Sequence, residues 1–228
     1  MAARRGQALY FYMAFSLLLR LFFNLLYHPF AWAYDLVAAT VSLGQWNDWV
    51  LSVLPYIKGA RVLELGHGPG HLQAALQEQG RFAVGLDESR QMSNLARRRL
   101  QRGGHLPFRL TRAVAQALPF APQTFDTVVA TFPTEFFLEE NTLSEIRRVL
   151  RKEGCYVVLP VAWLTGSTPL RRLMAFLFRI TGQAPEDPLP TIRPAFQQAG
   201  FRVTAHFVEM RLSRVLIVTA RPATDPPV

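Results

Sequence analysis

From residue 60 onward, short apolar runs ending at glycine or aspartate alternate with segments of helical pattern, and this alternation constrains the chain more than any other feature. "ARVLELG" leads into "GHLQAALQEQG", and "FAVGLD" leads into "SRQMSNLARRRLQRGG". Strand and helix in alternation build a parallel sheet joined by crossover helices. Gly80 is placed to close the first helix from the left-handed region. Ser89 is placed as N-cap of the second, with Gly103 and Gly104 as its terminator. "PFRLTRAVA" continues as a third strand and "FDTVVATF" as a fourth. Thr142 and Glu145 stand at capping-box spacing, so a helix is expected to start there, and "GCYVVLP" follows as the fifth strand. After Pro160 the alternation breaks, which marks a functional loop or cap. It resumes with a last helix, "TIRPAFQQAG", and two β-like runs, "FRVTAHFVEM" and "SRVLIVTARP", at hairpin spacing.

Three segments are expected: an apolar N-terminal helix over 1–35, a main domain over 36–220 with an insertion at 161–190, and a tail over 221–228. Lys and Arg exceed Asp and Glu by 25 − 16 = 9, a balance that favours anionic partners without choosing between a phospholipid surface and a nucleic acid. A single cysteine, Cys155, excludes an intrachain disulfide framework and fits a reducing compartment. Its apolar setting marks a buried structural thiol. No cluster has metal-ligand spacing, and no G-x-S-x-G elbow occurs.

The chemistry concentrates in "ELGHGPGH". Gly66, Gly68 and Gly70 let the backbone turn tightly and approach a ligand at a helix N-terminus. Asp87, at the end of the second strand, is placed to accept hydrogen bonds from both ribose hydroxyls of an adenosine. A dinucleotide fingerprint has the spacing G-x-G-x-x-G, whereas here the third glycine comes one residue early and Glu64 precedes the loop. That tilts the ligand away from NAD.

These residues resemble the class I S-adenosylmethionine-dependent methyltransferases, in particular the small-molecule group typified by the ubiquinone and menaquinone enzymes, over about residues 55–220. "VLELGHGPG" looks like that family's first motif and "GLDESRQM" its second. "AQALPFAPQTFDTVVATFP" is similar to the third and fourth in sequence, and "EIRRVLRKEG" to the segment leading into strand five. The resemblance implies a Rossmann-like doubly wound α/β sheet, mainly parallel with a C-terminal antiparallel hairpin, and S-adenosylmethionine as cofactor. It implies a cofactor site of Glu64, Gly66, His67, Gly68 and Gly70 around the methionine part. Asp87 and Glu88 fall at the ribose, Met92 against the adenine face, and Thr131 with Phe132 at the methyl-transfer region. The family's acid after strand three falls on Val114, so adenine recognition is expected from backbone groups around Ala115 and from Gln116. Glu153 replaces the proline common in the turn before strand five. His67 and His71 are read as packing or hydrogen-bonding residues rather than as a general base.

In such an enzyme the main task is alignment of a nucleophile with the methyl–sulfur axis, and orientation alone contributes roughly 7 kcal/mol or more in favourable cases. Where an acceptor must lose a proton, Glu135 is the candidate catalytic base. In "PLRRLMAFLFRI", Arg171, Arg172 and Arg179 fall near one face of an otherwise apolar helix, which suits an anionic headgroup boundary or a cap over an apolar pocket. Both favour a lipid or lipophilic small molecule as methyl acceptor. The competing functions are an RNA or protein methyltransferase, against which no RNA-binding motif stands in the chain, and an inactive membrane-associated binding module of the same fold. The oligomeric state is not legible.

Residues 8–27 are long and apolar enough to span a bilayer. However, Tyr12, Ser16, Arg20, Asn24 and His28 recur every four residues as a narrow polar stripe. A span preceded by Arg4 and Arg5 would also export the domain from the cytoplasm, where its cofactor is expected. The expectation is a helix lying in the membrane surface or docked on the domain, with the protein cytoplasmic and peripheral on the cytoplasmic membrane face.

Overall fold

The computed structural model describes residues 39–40, 42–165 and 187–223. The expected helix over 8–27, the basic helix in the insertion and the last residues of the tail lie outside the described residues. Among the described residues, no helix is long and apolar enough to cross a membrane.

Seven strands form one sheet: β1 (Arg61–Leu65), β2 (Phe82–Leu86), β3 (Arg109–Thr111), β4 (Phe125–Thr131), β5 (Leu150–Leu164), β6 (Phe201–Glu209) and β7 (Ser213–Pro222). Their order is β3-β2-β1-β4-β5-β7-β6. β1 to β5 pair in parallel, and β7 inserts antiparallel between β5 and β6. This is the expected doubly wound α/β sheet with its terminal hairpin.

Burial explains the order. β1, β2 and β4 are buried over almost their whole length, as strands covered on both faces must be. Successive side chains serve opposite layers: Val62 joins a cluster with Trp49, Leu72, Leu76 and Val157, while Leu63 joins one with Val128, Ile146, Tyr156 and Phe196. Helices α1 (Trp46–Leu51) and α2 (His71–Glu78) contribute to the first cluster. Helices α4 (Glu140–Val149) and α5 (Leu189–Gln198) contribute to the second. Helix α3 (Arg90–Arg102) buries Met92, Ala96 and Leu100, one residue per turn, and leaves Arg90, Arg97, Arg98 and Arg102 outward, while Arg99 turns back to donate to the Pro69 carbonyl. The Ser89 hydroxyl accepts from the Met92 N–H at 3.3 Å, which makes it the expected N-cap.

The structure departs from the sequence expectation at five boundaries. β3 is only three residues long; Arg109 and Arg112 lie exposed there, and an edge strand with one neighbour has little to hold a longer run. Helix α4 starts at Glu140 rather than Thr142. Thr142 is fully buried within it, and Glu145 accepts from the Leu118 N–H at 2.7 Å and pairs with Arg148 instead of closing a capping box. β5 begins at Leu150, because Leu150 pairs with Phe125 and Cys155 with Thr127, so the intervening residues bulge out. It also runs past Pro160 to Leu164, the register shifting between Val158 and Val161, where a missing proline N–H is tolerated. The insertion therefore starts beyond residue 164, and β7 takes up Arg221 and Pro222 from the expected tail.

Candidate cofactor site at the glycine loop

The strand order reverses between β1 and β4, and in open α/β sheets ligands bind at the carboxyl ends of strands beside such a switch point. The loop 66–70 leaves β1 at that place. Its three glycines all have positive φ, +66° at Gly66, +52° at Gly68 and +85° at Gly70. At Gly70 the reason is packing, since a Cβ there would come within 2.9 Å of the Ala96 Cβ on α3. At Gly68 a Cβ would meet nothing within 4 Å, so its bare backbone borders open space.

Two buried acids hold the loop. The Asp87 carboxylate accepts from the Gly68 N–H at 2.9 Å and from the Ser89 N–H at 2.8 Å, tying the loop to the start of α3. Glu64 is buried beneath the loop, where the Gln73 amide donates to it at 2.8 Å. Burial pushes the Glu64 pKa up to about 8, against the lowering effect of the Gln73 hydrogen bond and with a smaller push from the Asp87 charge. His67 is also buried, and burial lowers its pKa, so the ring is neutral near pH 7. Its Nδ1 lies 2.8 Å from the Gly68 carbonyl, while its Nε2 has no hydrogen-bond partner among the described residues.

A small cavity of about 30 Å³ opens here. Glu64, Gly66, His67, Gly68 and Thr131 line it together, and Asp87 joins them through Gly68. His71 lines it too. The remaining candidates stand outside the cavity. Met92 is fully enclosed, Glu88 and Val114 are exposed, and Ala115 is buried in the turn after β3. The Gln116 amide donates to Glu139 at 2.7 Å, and an exposed Glu135 opens the 3-10 turn Glu135–Leu138.

One side of the cavity brings in residues beyond the sequence candidates. Trp46 and Val50 of α1 line the cavity with the loop. Phe132 takes φ +47° where β4 leaves the sheet, its N–H donates to the Leu159 carbonyl at 2.7 Å, and its ring stacks on Trp46 at 4.5 Å. The Trp49 indole N–H donates to the Ser213 hydroxyl at 2.7 Å, which in turn donates to Gln45 at 2.9 Å, so the start of β7 anchors α1. The paired tryptophans of "QWNDWV", three residues apart on one helical face, were the available signal.

The residues present fit a cationic nucleoside ligand. Bare glycine backbone leaves room for close approach, the Asp87 carboxylate offers hydrogen-bond acceptors, and the Glu64 carboxyl becomes a counter-charge on losing its proton as a cation binds. The fold is that of a SAM-dependent methyltransferase of Thermotoga maritima, with TM-score 0.59 and 18% identity over 87% of this chain and 98% of that one. Residues 62–154 match the family described as "Methyltransferase domain", in agreement with the resemblance that the motifs around the loop carry. Among curated relatives, a phosphatidylethanolamine N-methyltransferase of Cereibacter sphaeroides is 38% identical over 104 residues, 45% of this chain and 51% of that protein. A demethylmenaquinone methyltransferase of Clavibacter sepedonicus is 32% identical over 130 residues, 55% of this chain and 52% of that protein. The chain thus spans about half the length of these relatives.

Proposed function

We propose that the protein transfers a methyl group from S-adenosylmethionine to a lipid or a lipophilic small molecule. The observation that carries this reading is the aromatic side of the cavity: Trp46, its ring stacked on Phe132, lines it together with the glycine loop, Val50 and Leu72. Relatives named for a phospholipid and a quinone acceptor support the same substrate class.

The cofactor supplies a methyl group made electrophilic by its sulfonium. Gly66 and Gly68 admit the methionine part, with Glu64 as counter-charge to its ammonium, and Asp87 offers its remaining lone pairs to the ribose. Glu88, Met92, Ala115 and Gln116 belong to the adenosine end of this proposal. Thr131, Phe132 and Trp46 exclude water and hold the acceptor in line, and such positioning contributes about 7–11 kcal/mol. Glu135, exposed just after β4, takes the proton of an acceptor that must lose one. Contact with the cytoplasmic membrane face would bring the site to such substrates.

Incubation with methyl-labelled cofactor and either a crude lipid fraction or total RNA tests this. Label is expected in lipid, with turnover reduced and cofactor affinity kept in Glu135→Gln. Label in RNA or in protein alone would overturn the acceptor class.

A further inference from the structure

At the edge of the sheet opposite the glycine loop lies a second, larger opening, a solvent-exposed groove of about 540 Å³. Its place follows from the strands. Lys58 precedes β1 and its N–H donates to the Thr127 hydroxyl at 3.0 Å at the start of β4, while Arg202 opens β6 and Arg221 closes β7. All three line the groove.

Arg202 and Arg221 are direct partners in the β6–β7 ladder. Like charges directly opposite one another on antiparallel strands destabilise the pairing. No carboxylate among the described residues forms an ion pair with Arg202, Arg221 or Lys58. Ion pairs do form at other places on the surface, at Arg151–Asp126 and Arg214–Glu209. Hydrogen-bonding groups surround the three charges: His206 Nε2 sits 3.1 Å from the Thr219 hydroxyl, and the His206 ring lies 4.7 Å from that of Tyr56. Cys155 forms part of the floor, buried, its thiol pushed up by burial against the pull of Arg221.

We propose that this groove binds a phosphate ester, gripped by Arg202 and Arg221 with Lys58 as the third cation. Two guanidinium forks and an ammonium match the charge and oxygen geometry of a phosphate group. The bound anion relieves the repulsion within the ladder. The site is separate from the cofactor loop, so its occupancy does not depend on the proposed methyl transfer.

Titration of the full chain with glycerol 3-phosphate, and flotation with phosphatidylcholine vesicles with and without phosphatidylglycerol, provides the test. Binding is expected, weakened about tenfold or more when Arg202→Ala and Arg221→Ala are combined, while S-adenosylmethionine affinity stays as in the wild type. Lys58→Ala, a loop change, gives the same comparison should the strand variants melt early. Arginine-dependent binding of glycerol 3-phosphate alone assigns a free ester, and arginine-dependent preference for phosphatidylglycerol assigns a lipid headgroup. No binding of either at millimolar concentration, or equal binding by wild type and variants, overturns the proposal.

Discussion

Glu64 and the glycines beside it have opposite demands on the same few ångströms. Burial keeps the Glu64 carboxyl protonated up to a pKa of about 8, whereas in the unfolded chain it ionises near 4.5. The folded state therefore binds the extra proton between these values, and the stability of the ligand-free protein falls as pH rises through that window. Glu64→Gln is expected to flatten this slope and raise the melting temperature at pH 8, while weakening cofactor binding about tenfold or more. Thermal melts across pH paired with calorimetry check both effects. The glycines divide in the same way. Gly68→Val should leave the protein folded, at a cost of about 1–2 kcal/mol for a left-handed β-branched residue, yet abolish cofactor binding. Gly70→Ala should lower stability by about 1–3 kcal/mol through its clash with Ala96, as chemical denaturation would show.

Helix α1 illustrates what one element owes to a distant one. Its Trp49 indole donates to Ser213, the first residue of β7, one helical turn from the Trp46 that lines the cavity. Ser213→Ala leaves a buried donor unpaired and should cost about 1–3 kcal/mol, with tryptophan fluorescence no longer quenched to the same degree on adding cofactor. The strands and the loop were legible because apolar runs ending at glycine state their own period. Asp87 was legible as an acid at the end of the second strand, but its hold on Gly68 and Ser89 was not, since pairing across a turn leaves no spacing signal. The start of α4 was misplaced because Thr142 and Glu145 satisfy a local capping pattern, while burial of Thr142 and the Glu145–Arg148 pair are tertiary. Trp46 went unread for the same reason: only the packing of α1 under β7 brings it to the loop.

At the scale of the molecule, the sheet separates two kinds of chemistry. Its carboxyl edge gathers acids and bare backbone around the loop, suited to a cationic nucleoside; its opposite edge gathers three cations. A net charge of +9 is thus distributed with purpose at least in these two places, and raised salt should weaken phosphate binding at the basic edge more than cofactor binding at the buried one. The central claim is that the loop of residues 66–70 holds S-adenosylmethionine. Calorimetric titration of the cofactor into wild type and Gly68→Val, near pH 7 and in buffers of different ionisation enthalpy, tests it most directly. Saturable binding is expected in the wild type, with release of a proton from Glu64, and none in the variant; no heat at millimolar cofactor, or equal binding by both proteins, would contradict it.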